Sequence, residues 1–214
     1  MKRREFVASA LVVPFAAWIR PEALPVRRAT FEEIGNSVLL TLSLPGLFRR
    51  GDREAVASID SGFDTTLAFR LRVWKYGSKV RIGDTEHEIK IRFDPWKKVY
   101  LVRSRTEKGW SKREFVAQEQ ALAAATTLSR VRVAASDALV RATANAGPYY
   151  FVEVLAMRNP MVRTENSNAR APSERSVGRD LEWFARLVDV VAGERAVAEE
   201  TVHVRTNPFY LPPR

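Results

Sequence analysis

Between Leu67 and Trp74 the chain alternates without a break: Leu67, Phe69, Leu71 and Val73 are apolar, and Ala68, Arg70, Arg72 and Trp74 fall between them. An extended strand points successive side chains to opposite faces, so this pattern sorts onto two surfaces only as a strand. The chain must therefore contain a sheet with one face in a core and the other carrying arginines. Tyr76-Gly77-Ser78-Lys79 is turn chemistry and ends the strand.

Other elements follow from local signals. Ser37 to Leu44 reads as a buried strand stopped by Pro45-Gly46, and Asp52 to Ser61 as a helix with Asp52 as its N-cap and Gly62 ending it. Asp94-Pro95-Trp96-Lys97 is a turn between Ile89–Phe93 and Lys98–Val102. A register pairing Phe93 with Val99 and Ile91 with Leu101 keeps the apolar residues on one face, leaves Arg92 opposite Tyr100 and requires a bulge at Lys97. Ser111 with Glu114 reads as a capping box, and Trp110 with Phe115 as its staple, for a helix running to about Leu128. Tyr149 to Met157 is a strand and 158–176 a polar, mobile loop. Leu181, Phe184, Val188 and Val191 line a helix face that Gly193 ends. A strand near Val202 to Arg205 leads into an extended tail over 206–214. The expected fold is α+β, an antiparallel sheet packed against two or three helices in one globular domain over 30–214. A β-sandwich with peripheral helices is the alternative.

Residues 1–29 form a different kind of segment. Met1-Lys2-Arg3-Arg4-Glu5-Phe6 precedes the apolar run Val7 to Ile19, the layout of an export signal, and the paired arginines are similar to a twin-arginine signal. As a helix, thirteen residues span about 20 Å, short of a bilayer's hydrocarbon core of roughly 30 Å. The expected location is periplasmic or envelope-associated, with cleavage near Ala23 or Ala29, or retention as an uncleaved tether, left open. This segment holds six basic and two acidic side chains of a chain whose net charge is +10, so the remainder keeps +6. That balance favours anionic partners. No nucleic-acid-binding motif accompanies it, which argues against nucleic acid.

Three stretches carry a family likeness: Phe93-Asp94-Pro95-Trp96-Lys97-Lys98-Val99-Tyr100, the span from Gln120-Ala121-Leu122 to Arg130-Val131-Arg132-Val133, and the Pro208-Phe209 ending. Together they make roughly residues 36–211 resemble the domain-of-unknown-function 4390 family of exported bacterial proteins. The resemblance implies an envelope location and brings no catalytic residue with it.

The chemistry-bearing inventory is sparse. The chain has no cysteine, which removes disulfides, thiolate metal sites and cysteine nucleophiles. His87 and His203 are the only histidines, and neither has a second at metal-binding spacing. Asp60 with Asp64, and Glu86 with Glu88, read as a helix end and a solvated strand face. No cofactor, nucleophile-elbow or phosphate-loop pattern is present. The remaining feature is basic and aromatic. Arg70, Arg72, Trp74, Arg92, Trp96 and Tyr100 are expected to share an exposed interface, against a reading in which Arg92 stacks on Tyr100 and both tryptophans lie under helices. Reversing Arg70 and Arg72 to Glu should then abolish docking with little change in stability. The expected function is a non-enzymatic partner-binding or accessory module of the cell envelope, with no cofactor. Its expected partner is an envelope protein, with an anionic surface the second class. The alternative is a periplasmic hydrolase or small-ligand-binding protein whose site assembles only in three dimensions.

Overall fold

The computed structural model describes residues 21–49, 52–106, 109–143, 147–162 and 196–213. Among these residues twelve strands form: β1 Val26–Arg27, β2 Thr30–Ile34, β3 Ser37–Ser43, β4 Thr65–Lys75, β5 Arg81–Asp94, β6 Val99–Thr106, β7 Gly109–Phe115, β8 Thr127–Ala135, β9 Tyr150–Arg158, β10 Met161–Val162, β11 Ala196–Val197 and β12 Glu200–Thr206. Two α-helices accompany them, α1 Arg53–Asp60 and α2 Gln118–Ala125. The larger sheet runs β1-β12-β9-β4-β5-β6-β7, a smaller one β2-β3-β8, and β10 with β11 form a ribbon. Pairing is antiparallel except where β1 joins β12 in parallel.

The two sheets close on one apolar interior. On the inner face of the large sheet lie Leu67, Phe69, Leu71 and Val73 of β4, Ile89 and Ile91 of β5, and Val152 and Val154 of β9. Val38, Leu40 and Leu42 of β3 and Val131 and Val133 of β8 meet them from the small sheet, with Ile59 from α1 and Ala121 and Ala125 from α2. Each large side chain so buried stabilises the fold by about 1.5–3 kcal/mol relative to exposure. The sheets approach closely at Gly83. A Cβ built there would lie 2.7 Å from the Val133 carbonyl oxygen and 3.4 Å from Val73 Cγ2.

The alternation in β4, the strand at Ser37, the strand at Tyr149 and the strand at Val202 all form where the sequence places them. Helix α1 has Asp52 as its N-cap, accepting from the Ala55 N–H at 3.2 Å, and Gly62 follows it at φ 83°. Arg158 holds the Asp52 carboxyl below its usual range through a 2.7 Å contact, and the same guanidinium donates to the Leu47 carbonyl at 2.9 Å. The tail beyond β12 is extended but docked. Phe209 exchanges two 2.8 Å backbone hydrogen bonds with Tyr150 and stacks on Phe31 at 4.0 Å.

Several expectations are corrected. The fold is a β-rich α+β structure in which a second sheet covers the inner face, rather than one sheet covered by helices. Ser111 and Glu114 cap no helix; they lie in β7, paired along β6, and the helix starts at Gln118 after an N-cap, Ala117, that offers no side-chain acceptor. Nor does that helix reach Leu128, because Thr127 to Ala135 pair with β3 as β8. In the hairpin Phe93 faces Tyr100, Ile91 faces Val102 and Arg92 faces Leu101. The cause is Asp94, whose carboxylate accepts from the N–H groups of Trp96 and Lys97 at 3.1 Å each. That turn leaves four residues, Pro95 to Lys98, outside the ladder, with Lys98 at φ 54°. The expected bulge at Lys97 does not form. Val26 and Arg27 pair with β12, so the sheet takes in residues ahead of position 30. The loop expected over 158–176 is corrected at its start, where Arg158 ends β9 and Met161–Val162 form β10; its remainder from 163 and the helix expected at Leu181 to Val191 lie outside the described residues.

Candidate functional site

Even-numbered residues of β4, even-numbered residues of β5 from Asp84 onward and odd-numbered residues of β9 face away from the core, and there the polar groups pair among themselves. Arg70 grips Asp84 with a guanidinium fork, Nε to Oδ1 at 3.0 Å and Nη2 to Oδ2 at 2.9 Å. Arg72 approaches the same carboxylate at 3.7 Å and Glu153 at 3.9 Å, while Arg81 adds a 3.0 Å contact to Asp84. Further along, Glu88 is buried rather than solvated, with Lys90 at 3.2 Å and Arg105 at 3.8 Å. Lys90 and Arg105 also lie over the Trp110 ring, at 5.2 and 5.8 Å.

The chemically richest point is Glu153. Its Oε2 accepts from Trp74 Nε1 at 2.8 Å, and its Oε1 lies 2.8 Å from His203 Nε2. Burial alone would raise this carboxyl, but the hydrogen bonds from His203 and Trp74, with Arg72 nearby, prevail and hold it below the usual range. A carboxylate so pinned is a fixed anion that orients an imidazole and an indole. It has no proton to deliver near neutrality, and among the described residues no hydroxyl is hydrogen-bonded to His203 to complete a nucleophilic arrangement.

The six expected interface residues therefore separate into three places. Arg70, Arg72, Trp74 and Arg92 share the outer face, and Arg92 stands 3.8 Å from Asp64, which also takes Arg103 at 2.6 Å. Tyr100 is on the inner side, packed against the core with Phe93 at 5.0 Å and donating to Asp60 at 2.8 Å. Burial and that carboxylate push its phenol up. Trp96 stands at the hairpin tip, 91% exposed. His87 is on the core side beside Phe69, 6.4 Å between ring centres.

The pairing of Arg70 reverses the expectation for its charge reversal. Its side chain is 11% exposed, so Arg70→Glu sets a carboxylate against Asp84 in a nearly closed setting. It should destabilise the fold by about 2–3 kcal/mol in urea unfolding, with Arg70→Gln intermediate. Unchanged unfolding of Arg70→Glu would mean that the fork contributes nothing.

Reasoning from sequence missed the Glu153–His203 pair because its partners stand fifty positions apart on neighbouring strands. One signal was available: Glu153 is the only charged residue in the run from Tyr149 to Met157, and a lone carboxylate in a buried strand needs donors.

The domain of unknown function (DUF4390) matches residues 22–154, more than half of the chain, and the chain belongs to that family. The resemblance is thereby borne out over a span that starts earlier and stops sooner than 36–211, holding the Trp96 hairpin and the Gln120 to Val133 stretch but not the Pro208-Phe209 ending. It includes Glu153 and not His203. No curated protein and no solved structure matches the chain.

Proposed function

We propose that this protein is an exported, non-enzymatic accessory module of the cell envelope that docks a protein partner through the sheet end bearing Trp96. The observation that carries this reading is the exposure of three large apolar side chains at that end: Trp96 at 91%, Val116 at 82% and Phe63 at 69%. Their segments meet there. A Cβ on Gly62 would lie 3.5 Å from the Phe93 carbonyl, Asp60 binds both Tyr100 and Gln118, and Phe115 pairs with Tyr100. Clustered exposed apolar groups mark interaction sites, and tryptophan is prominent among interface anchors. The export half rests on Arg3-Arg4 and the apolar run behind them. The reading against a hydrolase is supported by Glu153, whose oxygens are already held by Trp74 and His203.

The test is Trp96→Ala combined with Phe63→Ser in the tagged full chain, scored by thermal melting and by capture from the envelope. Stability should stay within about 0.5 kcal/mol, as at other surface positions. Capture should fall by roughly thirtyfold, the effect of losing a 2 kcal/mol anchor. Normal melting with undiminished capture rules this end out.

A further inference from the structure

The opposite end of the large sheet has a different chemistry. Tyr76 and Val80 flank the β4–β5 turn, and Tyr149 and Tyr210 stand beside them, all four exposed. They form one patch. The Tyr76 N–H donates to the Tyr149 carbonyl at 2.8 Å, and Tyr149 meets Tyr210 edge to face at 5.8 Å. Around it Arg27, Arg28, Lys75 and Lys79 are exposed and have no carboxylate partner among the described residues. The one acidic group at the turn, Glu22, is engaged by the Gly77 N–H at 2.7 Å.

That last contact also places the chain's entry. Glu22 sits against the turn, so the polypeptide reaches the described fold at this end, and the sequence just before Pro21 is the run Val7 to Ile19 behind Lys2, Arg3 and Arg4. Tyrosine, with an apolar ring and a polar tip, suits the boundary between headgroups and acyl chains. Unpaired lysines and arginines suit anionic headgroups.

We propose that this end rests on an anionic bilayer surface, with the uncleaved amino-terminal run as its tether, so that Trp96 points away from the membrane. The inference rests on the envelope reading above and adds an orientation to it. No side chain of this patch is as exposed as Trp96, Val116 or Phe63; the four lie between 47% and 57%. A bilayer accepts rings that are only half exposed.

The experiment uses the full chain with vesicles of phosphatidylglycerol or of phosphatidylcholine, followed by flotation and by hydrogen exchange. On phosphatidylglycerol, amides of the 75–81 turn should be protected while those of the 94–98 hairpin exchange as in solution. Lys75→Glu with Lys79→Glu should cut the turn's protection roughly tenfold or more while the chain still floats. Flotation without protection of the turn overturns this inference alone, because the chain is then tethered but not seated. Equal protection on phosphatidylcholine overturns the electrostatic recognition. A wild-type chain that floats on neither vesicle overturns the tether and this inference, whereas the envelope reading, which a cleaved periplasmic form also satisfies, fails only if cell fractionation finds the protein in the cytoplasm.

Discussion

Gly83→Val should lower the stability of the domain by about 3 kcal/mol, the upper end of what overpacking a closed interior costs. The neighbour in the way is backbone. A Cβ at this position falls 2.7 Å from the Val133 carbonyl oxygen, closer than any rotamer change can relieve, so β5 and β8 must separate. The strand is already irregular here, since Val73 pairs with Gly83 while Trp74 pairs with Arg81, and glycine in a strand interior often marks such a close approach. Gly46→Ala is the matched control. Its Cβ would meet only Val202 Cγ2 at 3.6 Å, ordinary contact, and its effect should stay within about 1 kcal/mol. Urea unfolding of both variants checks the pair, and equal midpoints would mean that the two sheets are not pressed together at Gly83.

Acid should weaken the fold well before most carboxylates titrate, and His87 is the reason. Burial of its ring lowers its pKa from 6.5 to about 4. The unfolded chain therefore takes up a proton below 6.5 that the folded chain declines until about 4. Stability is complete above pH 6.5 and falls through this window, by about 2–3 kcal/mol after allowing for the ring's residual exposure. His87→Leu should flatten the pH profile there. Glu153 acts lower: its carboxyl is held below 4.5, so its contribution is present above that value and is lost as pH falls further. A wild-type profile that is flat between pH 6.5 and 4 would show that water reaches the His87 ring in the folded state.

Much of the fold could be read from side-chain periodicity, because burial imposes it. The β4 alternation, the Asp52 cap and the Glu200–Thr206 strand are local signals that the tertiary structure did not override. What failed were signals with two readings. Ser111 and Glu114 satisfy a capping box as well as they satisfy an exposed edge strand, and pairing with β6 decided between them. Leu101 and Val102 are adjacent and both buried, one on each face, so apolar character cannot select the hairpin register. The site was harder still. Period two correctly turns Arg70 and Arg72 away from the core, but Asp84 and Glu153, which neutralise them, belong to other strands. An outward arginine in the sequence is thus no measure of available charge.

The parallel joining of β1 to β12 sets an order of events. Val26 finds Arg205 as its partner, and at ribosomal speeds of roughly 5–20 residues per second the second strand is made about ten seconds or more after the first. Throughout that interval Val26 and Arg27 have no partner strand in the sheet. Completion of β12 closes this window and gives Val26 and Arg27 their place at the sheet edge. A chain cut short before Glu200 never reaches that state, so an unfinished product differs from a finished one at the opposite terminus from the damage.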